Sequence, residues 1–333
     1  MKRLLAACLL AAVLQFGAKA QVDPHFSQYY VYPSWINPAL TGAIDGDYRI
    51  SGIYRNQWNS VDNAFSTAGL SGDIVTNKNI NFGAGVMQQK AGSGGYKYST
   101  GYISIAYTGI KFDAAGYKRL VFGLQGGVVD RRFDRTKFQL GDQWNPITGF
   151  NPSTATIDQF PKTSSSVFDA GAGVVYYDAA PGKKANIFAG FSASHLTQPE
   201  DPFTNGLVKA KLPIRYTLHG GVKLNLSENF NLVPNALYLK QGTAEEKMIG
   251  LYGQIKTGEL FDFLVGVNYR FKDAVVPFAG LYYKNMTLGF SYDANTSDLG
   301  KNVNNVNSFE LSLSYTFKRS KEPAGRNFIC PRL

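Results

Sequence analysis

The stretch FDAGAGVVYYD at residues 168–178 alternates with period two, and the character of its two faces decides the fold. Phe168, Ala170, Ala172, Val174 and Tyr176 share one side, while Asp169, Gly171, Gly173, Val175 and Tyr177 share the other. One face is apolar throughout; the opposite face is small or polar until it reaches an aromatic end. Such a strand fits a closed sheet whose greasy side meets acyl chains and whose glycine side lines a crowded lumen. Tyr176 and Tyr177 are then expected where hydrocarbon gives way to headgroups, because a phenol is apolar along its body and polar at its tip. FELSLSYTF at 309–317 has the same grammar: Phe309, Leu311, Leu313, Tyr315 and Phe317 alternate with Glu310, Ser312, Ser314 and Thr316.

Working outward, segments of this kind recur from residue 47 to the end, separated by turn residues. The pattern predicts strands at 47–56, 64–75, 79–90, 96–109, 118–130, 166–177 and 186–197. Seven more follow at 213–225, 230–240, 246–257, 260–271, 274–284, 286–294 and 307–317. Fourteen is an even number, as single-chain bacterial barrels have. The connections check the count. The long links, 131–165, 198–212 and 295–306, all follow odd-numbered strands, whereas links after even strands are short, such as Thr76-Asn77-Lys78 and Ser227-Glu228-Asn229. Long on one side and short on the other is the asymmetry of outer-membrane barrels. A soluble sandwich would leave most strands with a mixed second face and would not produce this parity. The expected fold class is therefore all-β: a transmembrane antiparallel up-and-down β-barrel of about fourteen strands with an N-terminal plug-like segment.

The domain organisation follows. Residues 1–20 read as a signal peptide, with Lys2 and Arg3 at the charged start, an apolar run, and Ala18-Lys19-Ala20 as cleavage site. LAAC at 5–8 is read as part of that run, because almost no apolar stretch precedes Cys8. Residues 21–46 lack alternation yet carry five aromatics between Phe26 and Trp35, which suits a segment folded into the lumen. The barrel proper spans 47–317, and a basic tail occupies 318–333. Both termini are expected on the periplasmic side. The formal charge of +10 falls to +7 without Lys2, Arg3 and Lys19, and four of those charges lie in the tail. Too little remains over the barrel for a nucleic-acid surface. Cys330 is then the sole cysteine, so no internal disulfide forms.

No catalytic, cofactor-binding or metal-ligating set emerges. His25, His195 and His219 lack the convergent spacing of a zinc site. Ser194 and His195 are adjacent on a predicted strand and so are expected to point to opposite faces, which keeps them from forming a nucleophile–base pair. Asp130, Asp134 and Asp142 lack the ligand spacing of a calcium loop. GSGG at 92–95 is a loop tip with no helix after it. The chain is read as a non-enzyme.

DPHFSQYYVYPSWINPALTGAIDGDYRISGIYRNQW at 23–58 resembles the opening of the PorP/SprF family of type IX secretion membrane proteins. IFAGFSASHLTQP at 187–199, PIRYTLHGGVKLNLS at 213–227, LGFSYDANTSDL at 288–299 and the CPRL ending at 330–333 carry the same resemblance in order. The resemblance implies an outer-membrane component of the type IX secretion system of Bacteroidetes, an export route on which gliding motility also depends. It implies two kinds of partner: periplasmic ring and motor subunits, and a secreted adhesin with a type IX C-terminal signal. The expected role is docking or anchoring of secreted surface proteins such as gliding-type adhesins, or linking to the periplasmic ring and motor, or both. Trp144, Phe150 and Phe160 in the longest outer link are candidate contacts for the secreted partner, or else pack down over the barrel mouth. Lys318, Arg319 and Lys321 are candidate contacts for acidic periplasmic partners, or else a charge run that stops the last strand from sliding into lipid. The alternative function is a diffusion channel or hydrophobic-substrate transporter, since NPA near the start of a plugged barrel is also similar to the fatty-acid transporter group. No cofactor is expected.

Overall fold

The computed structural model describes residues 23–58, 64–76, 78–158, 162–200, 211–258, 261–298, 300 and 306–318. The expected signal peptide lies outside them. Fourteen strands close into one antiparallel barrel. They are β1 (Tyr48–Gln57), β2 (Phe65–Val75), β3 (Ile80–Ala91), β4 (Tyr96–Lys111) and β5 (Lys118–Arg132). The two-residue strands β6 (Trp144–Asn145) and β7 (Gly149–Phe150) pair in the longest link, apart from the wall. The wall resumes with β8 (Ser164–Asp178), β9 (Ala185–Ser194), β10 (Arg215–Asn225), β11 (Phe230–Gln241) and β12 (Ala244–Lys256). It ends with β13 (Phe261–Arg270), β14 (Ala274–Tyr283), β15 (Met286–Asn295) and β16 (Ser308–Phe317). Closure comes from β1 pairing with β16, in register from Tyr48 opposite Phe317 to Gln57 opposite Ser308. The fourteen strands expected from alternation are those observed.

Period two sorts the side chains as expected. Leu70, Val86, Ile103, Leu124, Phe168 and Leu313 stand exposed on the outer surface. An apolar belt of that extent round the whole wall is at home only in lipid. The inner face holds Arg55, Asp169, Ser192, Thr217, His219, Ser291, Asp293 and Glu310, all buried. Tyr177 departs from the reading of an interfacial pair. It points inward and is buried against Ala39 and Leu40, while Tyr176 alone remains outside, edge-on to Phe112 at 6.0 Å. Strict alternation puts the two neighbours on opposite faces, and the inward one finds an apolar filling.

Residues 23–46 provide that filling. They contain a helical turn, Pro33–Ile36, flanked by 3-10 turns at Tyr29–Val31 and Pro38–Leu40. Phe26, Tyr29, Tyr32, Trp35, Ile36, Ala39 and Leu40 are buried among inward-facing Ile53, Met87, Tyr98, Val121 and Val175. Bonds from this segment reach β1, β4, β8, β9, β10, β11, β13, β15 and β16, which only a position inside the ring allows.

Its two ends lie at opposite mouths. Asp23 sits with Tyr98, Arg215 and His195, at the end of the long links, while Asp45 meets Lys318 at the end of the short turns. The expectation that both chain ends leave on the same side is not met by the first and last described residues. The reason is that the segment crosses the lumen from one mouth to the other before β1 begins.

Candidate functional site: the filled lumen and the long-link mouth

The NPA motif shows why these residues, in this order, fill the wall. Asn37 accepts from the Ala39 N–H at 2.9 Å and so caps the 3-10 turn that Pro38 opens with its fixed φ. Its amide nitrogen donates to the carbonyls of Val174 at 3.1 Å and Phe191 at 3.2 Å, on β8 and β9. The same nitrogen lies 3.2 Å from His219 Nε2. Glycine makes the approach possible. A Cβ on Gly173 would collide with the Asn37 amide, and one on Gly123 with the Pro38–Ala39 backbone. The glycine face of 168–178 is thus the seat of the segment.

DPHFSQ supplies two ion clusters. In the first, near the long-link mouth, His195 is fully buried between two carboxylates: Nε2 donates to Asp23 and Nδ1 to Asp169, each at 2.7 Å. Arg215 donates to Asp23 at 2.9 Å and to the Trp35 carbonyl at 2.6 Å, and its guanidinium lies 4.1 Å from the Trp35 ring centre. Tyr98 and Tyr102 donate to Asp23 and Asp169. Burial alone would lower the His195 pKa, but the two carboxylates outweigh it and push the value up to about 9. Burial pushes Asp23 up, and the charges of His195 and Arg215 reverse this and hold it well below the usual carboxylate range.

The second cluster lies on the closing seam and beside it. Arg55 on β1 donates to Glu310 on β16 at 2.6 Å and to Asp293 on β15 at 2.8 Å. Arg270 on β13 donates to Asp293 at 2.5 Å. Ser27 Oγ donates to Asp293 at 2.9 Å and accepts from Arg55 at 3.0 Å and Arg270 at 2.9 Å. Arg270 also donates to the part-exposed Asp273 at 2.5 Å, so two guanidiniums face three carboxylates, and removing a buried member of such a set costs about 3–5 kcal/mol because its partner is left charged and unpaired.

The histidine just after β9 corrects one expectation. The strand stops at Ser194, and His195 turns into the left-handed region at φ 59°, so both side chains point inward. They still form no nucleophile–base pair: Ser194 Oγ accepts from Arg215, and both His195 nitrogens are taken by carboxylates. Asp130, Asp134 and Asp142 are likewise used separately, by Arg132 and Ser166, by the Thr136 turn, and by the Ile157 N–H. Gly92 and Gly95 take positive φ in the tight turn between β3 and β4, the loop tip expected.

Of the candidate partner contacts, Trp144 and Phe150 face each other across the β6–β7 hairpin, with ring centres 5.9 Å apart. Trp144 is 53% exposed, and Ile147 at the hairpin tip is 93% exposed, so this part of the link stands clear of the barrel. Phe160 lies outside the described residues. Lys318 pairs with Asp45 at 3.2 Å on the surface; Arg319 and Lys321 lie outside the described residues. A cavity of about 840 Å³ opens at the long-link mouth, floored by Asp23, Pro24 and His25. A smaller one of about 140 Å³ lies between the segment and β12–β16, lined by Tyr30, Leu40, Ile44, Leu264 and Phe278. Among the described residues, no group of three or more His, Cys, Asp or Glu could hold a metal ion.

Residues 18–315 match the family described as type IX secretion system membrane protein PorP/SprF. The chain belongs to this family. No curated protein was found to match this PorP/SprF chain by sequence. Among solved structures it is similar to the toluene transporter TbuX of Ralstonia pickettii. That match has 10% identity over 86% of this chain and 94% of that one, with a TM-score of 0.50. It is also similar to the toluene transporter TodX of Pseudomonas putida, at 9% identity over 88% and 94% of the chains with a TM-score of 0.47. At 10% identity the likeness to TbuX is one of fold, an outer-membrane barrel. Sequence reading missed Asp23, Arg55, Arg215, Arg270, Asp293 and Glu310. The available signal was lone charges at inward positions of strands otherwise poor in charge, as in FELSL and YRNQW.

Proposed function

We propose that this PorP/SprF protein docks secreted surface proteins at the outer membrane and is neither a conduit for them nor an enzyme. The observation that carries this reading is the lumen itself. Residues 23–46 occupy it from mouth to mouth, held by two buried ion clusters and by close backbone approach at Gly123 and Gly173. A polypeptide passing through would have to break both clusters at once. What stays available to a partner is the long-link face, taken here as the outer one, with the 144–150 hairpin raised on it. An exposed tryptophan braced by a neighbouring aromatic is a common interface anchor. Lys318 lies at the opposite mouth, and the basic sequence that follows it is suited to acidic periplasmic subunits of the secretion ring and motor. Trp144→Ala is expected to leave the barrel folded while lowering retention of the secreted protein at the cell surface. Unchanged retention would dismiss the hairpin as a docking element.

A second reading, passage of small hydrophobic molecules, is favoured by the cavity of about 140 Å³ beside Tyr30, Leu264 and Phe278. Planar-bilayer recording of the purified chain separates the two. Docking expects no steady conductance, and a channel expects stepwise openings.

A further inference from the structure

Where β16 meets β1, the last strand touches more than the first. Glu310 is the register partner of Arg55 and accepts its guanidinium at 2.6 Å. The same carboxylate accepts the backbone N–H of Ser27 at 2.6 Å and of Gln28 at 2.8 Å. The Gln28 side chain donates to the Glu310 carbonyl at 3.3 Å and accepts from Ser312, also on β16, at 2.7 Å. Ser27 Oγ meanwhile accepts from Arg55 on β1. The dipeptide Ser27-Gln28 is therefore bonded to both edges of the seam.

We propose that Ser27-Gln28 is an internal template that captures Glu310 and so docks β16 onto β1 when the barrel closes. Two further observations support it. The segment crosses the lumen end to end and touches strands on every side, so the wall has to close round it rather than be threaded afterwards. The segment is also continuous with β1, whereas Glu310 lies 255 residues beyond Arg55. Contacts so distant in sequence bear the largest loop-closure entropy, so making them limits the rate of closure. Two backbone donors beside Arg55 make an anion receptor that Glu310, the carboxylate of β16, fills, while Asp293 of β15 takes the Ser27 hydroxyl and the other arm of Arg55. Without the receptor, β16 would pair with β1 through ladder bonds that tolerate a slip in register.

The test is refolding of the full mature chain from urea into detergent micelles, with closure read from the compact, heat-sensitive band on unheated gels. A second reporter is the rate of disulfide formation in a chain carrying Tyr54→Cys, Leu311→Cys and Cys330→Ser. Tyr54 and Leu311 are register partners on the lipid face, clear of the template. Glu310→Gln is expected to slow closure about tenfold or more while changing the unfolding rate by less than about threefold, the signature of a contact already made in the transition state. Asp169→Asn, which weakens the segment away from the seam, is expected to do the reverse. Equal closure rates for Glu310→Gln and the parent, or equal slowing by both substitutions, would overturn the proposal. Should Glu310→Gln give no closed barrel, Glu310→Asp keeps the charge but draws it back from the two N–H groups. It must then close more slowly than the parent, and closure at the parent rate would equally overturn the template.

Discussion

Raising the pH of the detergent-solubilised protein from about 6 to about 10 should loosen the segment's anchor at the long-link mouth. The group responsible is His195, held between Asp23 and Asp169 with both ring nitrogens donating, which requires the imidazolium form. Its pKa is raised from 6.5 to about 9. A raised pKa means that the folded state binds the proton more tightly than the free chain does. The stabilisation is therefore complete below about pH 6.5 and is lost as pH rises through about 9. At about 1.4 kcal/mol per unit, the shift corresponds to about 3 kcal/mol, comparable with removing one member of a buried ion pair. Arg215, Tyr98 and Tyr102 also donate to these carboxylates, so part of the anchor does not depend on His195. A local probe is available. Trp35 lies under Arg215 and donates to the Pro24 carbonyl at 3.0 Å. In a chain with Trp58→Phe and Trp144→Phe, Trp35 is the remaining tryptophan. Its emission should shift to the red in lower urea at pH 10 than at pH 6, and His195→Gln should flatten that difference. An emission midpoint that ignores pH, or a pH dependence that persists in His195→Gln, would refute the ion-cluster account.

Two shorter expectations accompany it. Gly173→Val sets branched carbons against the Asn37 amide, so it should destabilise the closed barrel by about 1–3 kcal/mol; a heat-modifiability midpoint equal to the parent's would show that the segment can shift aside. Removing residues 319–333 should leave insertion intact yet weaken recovery of periplasmic ring subunits in pull-downs, and full recovery would remove the tail from the docking scheme.

The wall was legible because lipid on one side and a lumen on the other impose period two on every strand, and because link length keeps count of strand parity. Phe309 to Phe317 shows this at its clearest: each outward residue is apolar and each inward one polar. The contents of the lumen were not legible in the same way. Residues 23–46 have no period, since an irregular segment satisfies its polar groups one at a time against whatever the wall presents. Glu310 could be assigned to the inner face from alternation alone, but its partners Ser27 and Gln28 lie more than 280 residues away, and no local rule spans that distance. His195 was misassigned to a strand because period-two patterning does not report its left-handed backbone at φ 59°, and its partners Asp169 and Asp23 lie far from it in sequence.

These partial signals become readable only together. A glycine such as Gly173 on an inward face says that something approaches closely; a capped NPA turn says what could approach; a lone acid or arginine on a charge-poor strand says where it would be held. Each alone fits any crowded barrel. Their coincidence along a single path, from His195 at one mouth through Glu310 at the seam to Lys318 at the other, makes residues 23–46 a structural part of the closed wall. It follows that a substitution in this segment should disturb barrel closure before it disturbs any surface partner, whereas one in the 144–150 hairpin should do the opposite.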